Sequence, residues 1–386
     1  MRDVTITDTI LYVGVDDKDL DLFESQYVIP NGVSYNSYVI MDEKITIMDT
    51  VDARKTDEWL ANVEKVLDGV EPTYLVVSHM EPDHAASIQV LMEKYPKMQL
   101  IGNAKTFAMI PQFFNVDLTG KLVVVKEGDT VNLGKHELQF FMAPMVHWPE
   151  VMVAYERTEK ILFSADGFGK FGALDADEPW TCEARRYYFN IVGKYGTQVQ
   201  ALLKKVATLD IQMICPLHGP ILKEDLGYYI GKYDVWSKYE PEDEGVFIAY
   251  ASIHGNTGKA AKRLAAMLEE KGVKRVAIAD LSRDDMAEAV EDAFRHDKLV
   301  LASSTYDGGV FPCMEDFLAH LKAKNYQKRT VALMENGSWA PQAARKMAAV
   351  LETMKDITIC EPIVTIKSTM NEANLKTMEE LVDKLI

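Results

Sequence analysis

The run Tyr74-Leu75-Val76-Val77-Ser78-His79-Met80-Glu81-Pro82-Asp83-His84-Ala85-Ala86-Ser87-Ile88-Gln89-Val90-Leu91 decides the fold of the first half of the chain. Its opening apolar residues predict a short buried strand. From Ala85 the pattern predicts the first turns of a helix. Four potential metal ligands, His79, Glu81, Asp83 and His84, therefore fall within six residues on a strand-to-helix loop. Two imidazoles and two carboxylates packed this tightly have few structural uses, and a metal site needs N and O donors in such an array.

Three more candidate ligands share this placement. His147 follows Phe140-Phe141-Met142-Ala143-Pro144-Met145-Val146, Asp166 follows Ile161-Leu162-Phe163-Ser164-Ala165, and His218 follows Ile211-Gln212-Met213-Ile214-Cys215-Pro216-Leu217. A single loop His or Asp is more commonly solvated or a helix cap. The repetition points to one rim of a sheet, where strand ends bring distant segments together. Further strands are expected at 6–13, 35–41, 45–49, 99–102, 122–125, 137–142, 151–155 and 161–164. Helices are expected at 56–67 and at 104–110, the second stopped by Pro111. Consecutive strands with inserted helices predict a layered α+β body.

The 386 residues suffice for two ordinary domains with sizeable cores. With 48% hydrophobic and 26% charged residues the balance is globular. A formal charge of −17 argues against a nucleic-acid partner, because phosphate contact needs a basic face. Met1-Arg2-Asp3-Val4-Thr5 opens without an apolar segment, so no secretory signal is visible. No apolar run approaches the roughly 20 residues that cross a bilayer. Cys182, Cys215, Cys313 and Cys360 form no CxxC pair, which excludes a zinc ribbon, a rubredoxin-type iron site and an evident disulfide framework. The expected setting is the cytoplasm.

Around Pro241-Glu242-Asp243-Glu244-Gly245 an acidic stretch reads as a linker, giving domains 1–243 and 244–386. Beyond it strands at 246–251, 273–281, 299–304, 331–335 and 357–366 alternate with helical patterns, one of them capped by Gly272. This predicts an α/β doubly wound parallel sheet, whose ligands bind at the carboxyl ends of the strands. The loop after its first strand, Ser252-Ile253-His254-Gly255-Asn256-Thr257-Gly258, opens directly into a helix. Hydroxyls and backbone N–H groups there suit a phosphate, although Ser, Asn, Thr and Gly also make good caps. The third strand ends in Ser303-Ser304-Thr305-Tyr306-Asp307-Gly308-Gly309 and the fourth in Glu335-Asn336-Gly337-Ser338-Trp339.

His-x-Glu-x-Asp-His followed by His147, Asp166 and His218 resembles the metal framework of the metallo-β-lactamase fold, an αββα sandwich. The hydrolases of that fold have His where this chain has Glu81, and a carboxylate there suits iron better than zinc. The variant resembles the flavodiiron proteins, which reduce dioxygen, nitric oxide or both. The resemblance implies one iron on His79, Glu81 and His147, a second on Asp83, His84 and His218, and Asp166 between them. The second half is similar to a flavodoxin-like FMN domain. It implies FMN contacts from Ser252, His254, Gly255, Asn256, Thr257, Ser303, Ser304, Thr305, Tyr306, Asp307, Gly308, Gly309, Asn336, Gly337, Ser338 and Trp339. His254 stands where flavodoxins usually have Thr. Trp339 is expected to stack on the isoalloxazine.

Tyr195 resembles a tyrosine that family members place near the diiron pocket, with half-buried packing as the plainer reading. The resemblance further implies a head-to-tail homodimer or a dimer of dimers. It also implies an external electron donor, rubredoxin or a reduced deazaflavin, because no Cys-rich extension follows in this chain. Two other readings stay open on the residues alone. One is a metallohydrolase using a metal-bound hydroxide. The other is a flavodoxin-like carrier whose first domain is only a dock.

Overall fold

The computed structural model describes residues 4–386; Met1-Arg2-Asp3, part of the stretch read for a secretory signal, lie outside them. Two compact units emerge. One takes the chain up to Tyr188 together with Thr197–Asp234, the other Phe189–Gly196 with Val235–Ile386. The break thus falls ahead of the expected 243/244 boundary. The acidic stretch is no free linker, because Asp243 opens the strand Asp243–Ala251 and its carboxylate holds Arg295 at 2.7 Å and also Arg275.

In the first unit one sheet runs in the order Ile10–Tyr12, Tyr38–Ile40, Thr46–Met48, Tyr74–Val76, Gln99–Gly102, Leu122–Val124. The second runs Thr130–Asn132, Glu137–Met142, Met152–Glu156, Ile161–Phe163, Met213–Cys215. Alternation along the strands turns one side chain in two toward the facing sheet. Ile10, Tyr38, Ile40, Met48 and Val76 meet Leu138, Phe140, Met152, Ala154 and Phe163 in one buried core. Each fully buried aliphatic chain there contributes about 1.5–3 kcal/mol.

The alternate residues Val39, Ile47, Leu75, Val153 and Leu162 are buried too, so both outer faces are covered. Val199, Leu202 and Val206 of the helix Gly196–Val206 close over Val153 and Leu162. The helix Thr56–Leu67 buries Trp59, Val63 and Leu67. The result is an αββα sandwich.

One expected stop is not there. The helix Ala104–Phe113 runs through Pro111. Proline's fixed φ suits a helix, and this close to the end only the Phe107 carbonyl loses its partner. Short pieces at Val15–Asp17, Leu22–Phe23 and Tyr27–Val28 lie between the expected strands. Two-residue strands are too brief to show a period.

The second unit holds the parallel sheet. Its order is Val276–Asp280, Asp243–Ala251, His296–Tyr306, Arg329–Asn336, Ile357–Ile366, or 2-1-3-4-5 in chain order. Leu264, Leu268, Met378, Leu381 and Val382 from the helices Asn256–Glu270 and Glu372–Leu385 pack on Ile248, Val300, Ala332 and Val364. Gly272, at φ +90, turns the chain out of the helix Asn256–Glu270 while Val273 N–H donates to Leu268 O at 3.0 Å. The order reverses at the first strand, so the crevice lies at the carboxyl ends of the first and third strands.

Candidate metal centre and cofactor cradle

Seven donors meet at one rim of the first unit. The strand Tyr74–Val76 leads to His79 and Glu81, and the turn Pro82–Ala85 carries Asp83 and His84. His147, Asp166 and His218 each follow the strand expected to deliver them. They form two groups. His79, Glu81, His147 and Asp166 place one ligand atom each within 4.8 Å of one another, and so do Asp83, His84 and His218.

Within the first group His79 Nε2 lies 3.1 Å from Glu81 Oε2 and 3.3 Å from Asp166 Oδ2. His147 Nε2 lies 2.9 Å from Glu81 Oε2 and 3.3 Å from Asp166 Oδ2. In the second, Asp83 Oδ2 lies 3.3 Å from His84 Nε2 and 3.2 Å from His218 Nε2. Asp166 Oδ1 faces this group, 3.4 Å from His84 Nε2 and 3.9 Å from His218 Nε2. One carboxylate therefore turns one oxygen to each group.

This geometry fits metal ions. Donors held about 2.0–2.2 Å from an ion stand roughly 3.0–3.5 Å from their neighbours, the spacing found here. Both oxygens of Asp83 and of Asp166, and His147 Nε2, are buried without a hydrogen-bond partner. Buried polar atoms in a native fold are normally paired, so these point at an absent partner.

Without cations, protons balance the charge. Burial alone would drive the His147 proton off, yet Asp166 and Glu81 push its pKa up to about 9. His79 is likewise raised well above the ordinary range against its burial, chiefly by Asp166 and then by Glu150 and Glu81. Burial works to raise the carboxyl of Asp166, but the nearby imidazoles of His79, His147 and His84 hold it well below the usual range.

Neighbours orient the donors. Glu150 Oε1 lies 2.8 Å from His79 Nδ1 and accepts Met80 N–H at 2.8 Å. Ser34 O lies 2.7 Å from His218 Nδ1. Asp49 Oδ1 accepts Ser78 N–H at 2.6 Å, pinning the start of the ligand loop. Trp148 stands edge-on to His79, while Phe23, Tyr35 and Tyr187 pack on His218 at 5.5–6.0 Å.

Tyr195 is not one of these rings. It falls with the second unit, half-buried, with the Lys194 ammonium 5.8 Å from its ring centroid. The tyrosines beside the ligands are Tyr35 and Tyr187, which the sequence reading passed over because the contacts are long-range. Glu150 was passed over too, although a carboxylate three residues after His147 is a usable signal. So was Glu24, on the turn of the small hairpin Leu22–Phe23/Tyr27–Val28. Glu24 is exposed there, and the nearby charge of Glu81 works to raise its carboxyl.

In the second unit a cavity of about 480 Å³ opens at the carboxyl ends of the strands. Ser252, His254, Asn256, Thr257, Ser304, Thr305, Asp307, Gly308, Asn336, Gly337, Ser338 and Trp339 line it, joined by Ile253, Ala340, Gln342 and Ser368. Gly255, Ser303, Tyr306 and Gly309 do not. Gly255 makes the φ +86 turn into the helix Asn256–Glu270, which any Cβ would strain. Ser303 is fully buried, its hydroxyl donating to Ser304 O at 3.1 Å. Tyr306 and Gly309 pair across a tight turn, with Tyr306 edge-on to Phe311.

Several lining groups are tied to one another. Thr257 Oγ1 and Ser304 Oγ lie 2.9 Å apart. Thr305 Oγ1 accepts from Gln342 and Ala343 N–H. Asn336 Nδ2 donates to Ser368 O while Ser368 N–H donates to Asn336 Oδ1, both at 3.0 Å. Ser252 Oγ, by contrast, is buried with no partner just before a fifteen-residue helix. The lining carries no Lys or Arg, so the helix N-terminus and hydroxyls would balance an anion. That chemistry fits a flavin phosphate. Trp339 is 91% exposed, its ring free to meet a planar ligand.

Comparison with known proteins agrees with both halves. Residues 33–219 match the ODP family beta lactamase and residues 247–373 the flavodoxin domain. A protein of Methanocaldococcus jannaschii is 30% identical over 98% of this chain and 97% of its own length. A nitric oxide reductase of Moorella thermoacetica is 28% identical over 99% and 98%. The solved structure of rubredoxin oxygen:oxidoreductase from Desulfovibrio gigas superposes with a TM-score of 0.92 at 26% identity, covering 99% of this chain and 97% of that one. With a lactamase-like sandwich, a flavodoxin sheet and relatives along its whole length, the chain belongs to the flavodiiron protein family, oxidoreductases that pair FMN with a non-haem diiron centre.

Proposed function

We propose that the chain reduces nitric oxide to nitrous oxide, dioxygen to water, or both, with electrons reaching a diiron site through FMN from an external donor. His79, Glu81 and His147 would hold one iron and Asp83, His84 and His218 the other, with Asp166 offering one oxygen to each. The observation that carries this reading is the split of Asp166, whose two oxygens each face a separate set of donors. Bound iron supplies reversible one-electron chemistry and open positions for a diatomic, and FMN handles electrons singly or in pairs.

The chain's own residues set the conditions. Burial of the four imidazoles keeps bulk water from the reacting centre. Two nitric oxide molecules need two electrons and two protons to give nitrous oxide and water; dioxygen needs four of each to give two waters. In the second unit Ser252 and the N-terminus of the helix Asn256–Glu270 hold the FMN phosphate, with Trp339 against the ring. A rubredoxin-type donor is favoured by the relative named rubredoxin-oxygen oxidoreductase. A reduced deazaflavin is the other donor class, the working assembly is a head-to-tail homodimer, and the setting is the cytoplasm.

The test is anaerobic. The iron- and FMN-loaded chain is reduced fully and given a stoichiometric dose of nitric oxide or of dioxygen. Flavin absorbance and nitrous oxide are followed, with Asp166→Ala subtracting metal-independent oxidation. Prompt reoxidation lost in the variant is expected with at least one gas, and nitrous oxide marks the first. Equal rates in both proteins with both gases would remove the redox reading.

A further inference from the structure

We propose that Glu150 makes the two metal positions unequal: by accepting the Nδ1 proton of His79 it charges that imidazole from behind, so the position of His79, Glu81 and His147 holds its ion more tightly than that of Asp83, His84 and His218. This rests on the diiron reading above.

The two donor sets match in count and charge. Each has two imidazoles, one carboxylate of its own and one oxygen of Asp166. The difference lies behind the rings. His79 Nδ1 meets a fully buried carboxylate at 2.8 Å. The same Oε1 also takes Met80 N–H, which fixes its place, while Oε2 is buried with no hydrogen-bond partner. The donors it meets are thus His79 Nδ1 and one backbone N–H, and no cationic side chain pairs with it among the described residues. His218 Nδ1 meets only a neutral carbonyl, Ser34 O. His84 Nδ1 is buried with no partner at all.

A carboxylate behind a ligating imidazole locks the Nδ1–H tautomer and makes Nε2 a stronger donor. A carbonyl locks the tautomer without adding charge, and an unpartnered nitrogen does neither. Trp148, edge-on at 5.3 Å, holds the His79 ring from turning away. Glu150 thus acts as a positioning residue through His79.

The test titrates Zn(II) into the metal-free full chain carrying ring-¹⁵N histidine, in wild type and in Glu150→Gln. Glutamine keeps the size and an acceptor oxygen but drops the charge. In wild type the first equivalent should shift the rings of His79 and His147, and the second those of His84 and His218. In the variant the first equivalent should spread over both sets, with the ratio of the two affinities lower by about 10- to 100-fold. A first equivalent that lands on His84 and His218, or a variant that titrates like wild type, overturns the proposal. Should the variant fail to fold, as circular dichroism would show, the wild-type order decides, together with a slowly exchanging Nδ1–H on His79 in the zinc form. Zinc that shifts none of the four rings removes the metal-centre reading and this one with it.

Discussion

The Nε2 atoms of His84 and His218 face each other at 3.0 Å. His218 directs Nδ1 at the Ser34 carbonyl, which makes Nδ1 the donor and leaves Nε2 a lone pair. A second lone pair facing it from His84 would repel, so a proton or a cation belongs between them. Asp83 Oδ2, within 3.3 Å of both, favours the positive charge. His79, with Nδ1 on Glu150 Oε1, likewise turns Nε2 to the carboxylates of Glu81 and Asp166, where a proton or a cation also belongs.

Metal affinity is expected to rise with pH. His147, pushed up to about 9, and His79, raised well above its ordinary range, hold protons in the metal-free chain at neutrality. An ion must displace them, so affinity climbs about tenfold per pH unit for each proton released, until pH passes about 9. Calorimetry in buffers of different ionisation enthalpy counts those protons. Stability of the metal-free chain runs the other way. A folded-state pKa above the ordinary 6.5 gives His147 a contribution present below pH 6.5 and lost as pH rises through about 9.

Asp166→Ala removes the carboxylate that, among the described residues, turns an oxygen to each donor group. Metal content by elemental analysis should fall from two ions per chain to one or fewer, while FMN content stays at wild-type level. Two retained ions would count against a bridging role.

Ser252→Ala deletes a buried hydroxyl that has no hydrogen-bond partner among the described residues. A hydrogen bond to a charged phosphate contributes about 1.5–3 kcal/mol, so FMN affinity should drop by roughly 10- to 100-fold, read by fluorescence titration of the flavin-free chain. Riboflavin, which lacks the phosphate, should bind both proteins equally.

What could be read ahead of the structure follows a physical line. The ligand loop was legible because ligands on one loop must be close in sequence, and His147, Asp166 and His218 because each follows a strong apolar run. The parallel sheet was legible because helix and strand periods alternate clearly. Contacts between distant segments were not. Tyr35 and Tyr187 carry no local sign of the histidines they pack on, and Ser368 gives no hint of Asn336. Tyr195 was carried over from family resemblance, and the fold places it with the second unit. Around 243/244 Pro, Gly and acid read as a linker, whereas Arg275 and Arg295 neutralise Asp243 and let a strand begin there.

The ties around the flavin cavity bear on how fast the cofactor can be gained and lost. Thr257 with Ser304, Thr305 with the start of the helix Ala343–Leu351, and Asn336 with Ser368 close the four loops on one another before any flavin arrives. Little chain entropy is left to remove on binding, so association needs no refolding step. Flavin exchange then runs at the rate of departure, and variants that loosen the cradle change residence time before they change the rate of entry.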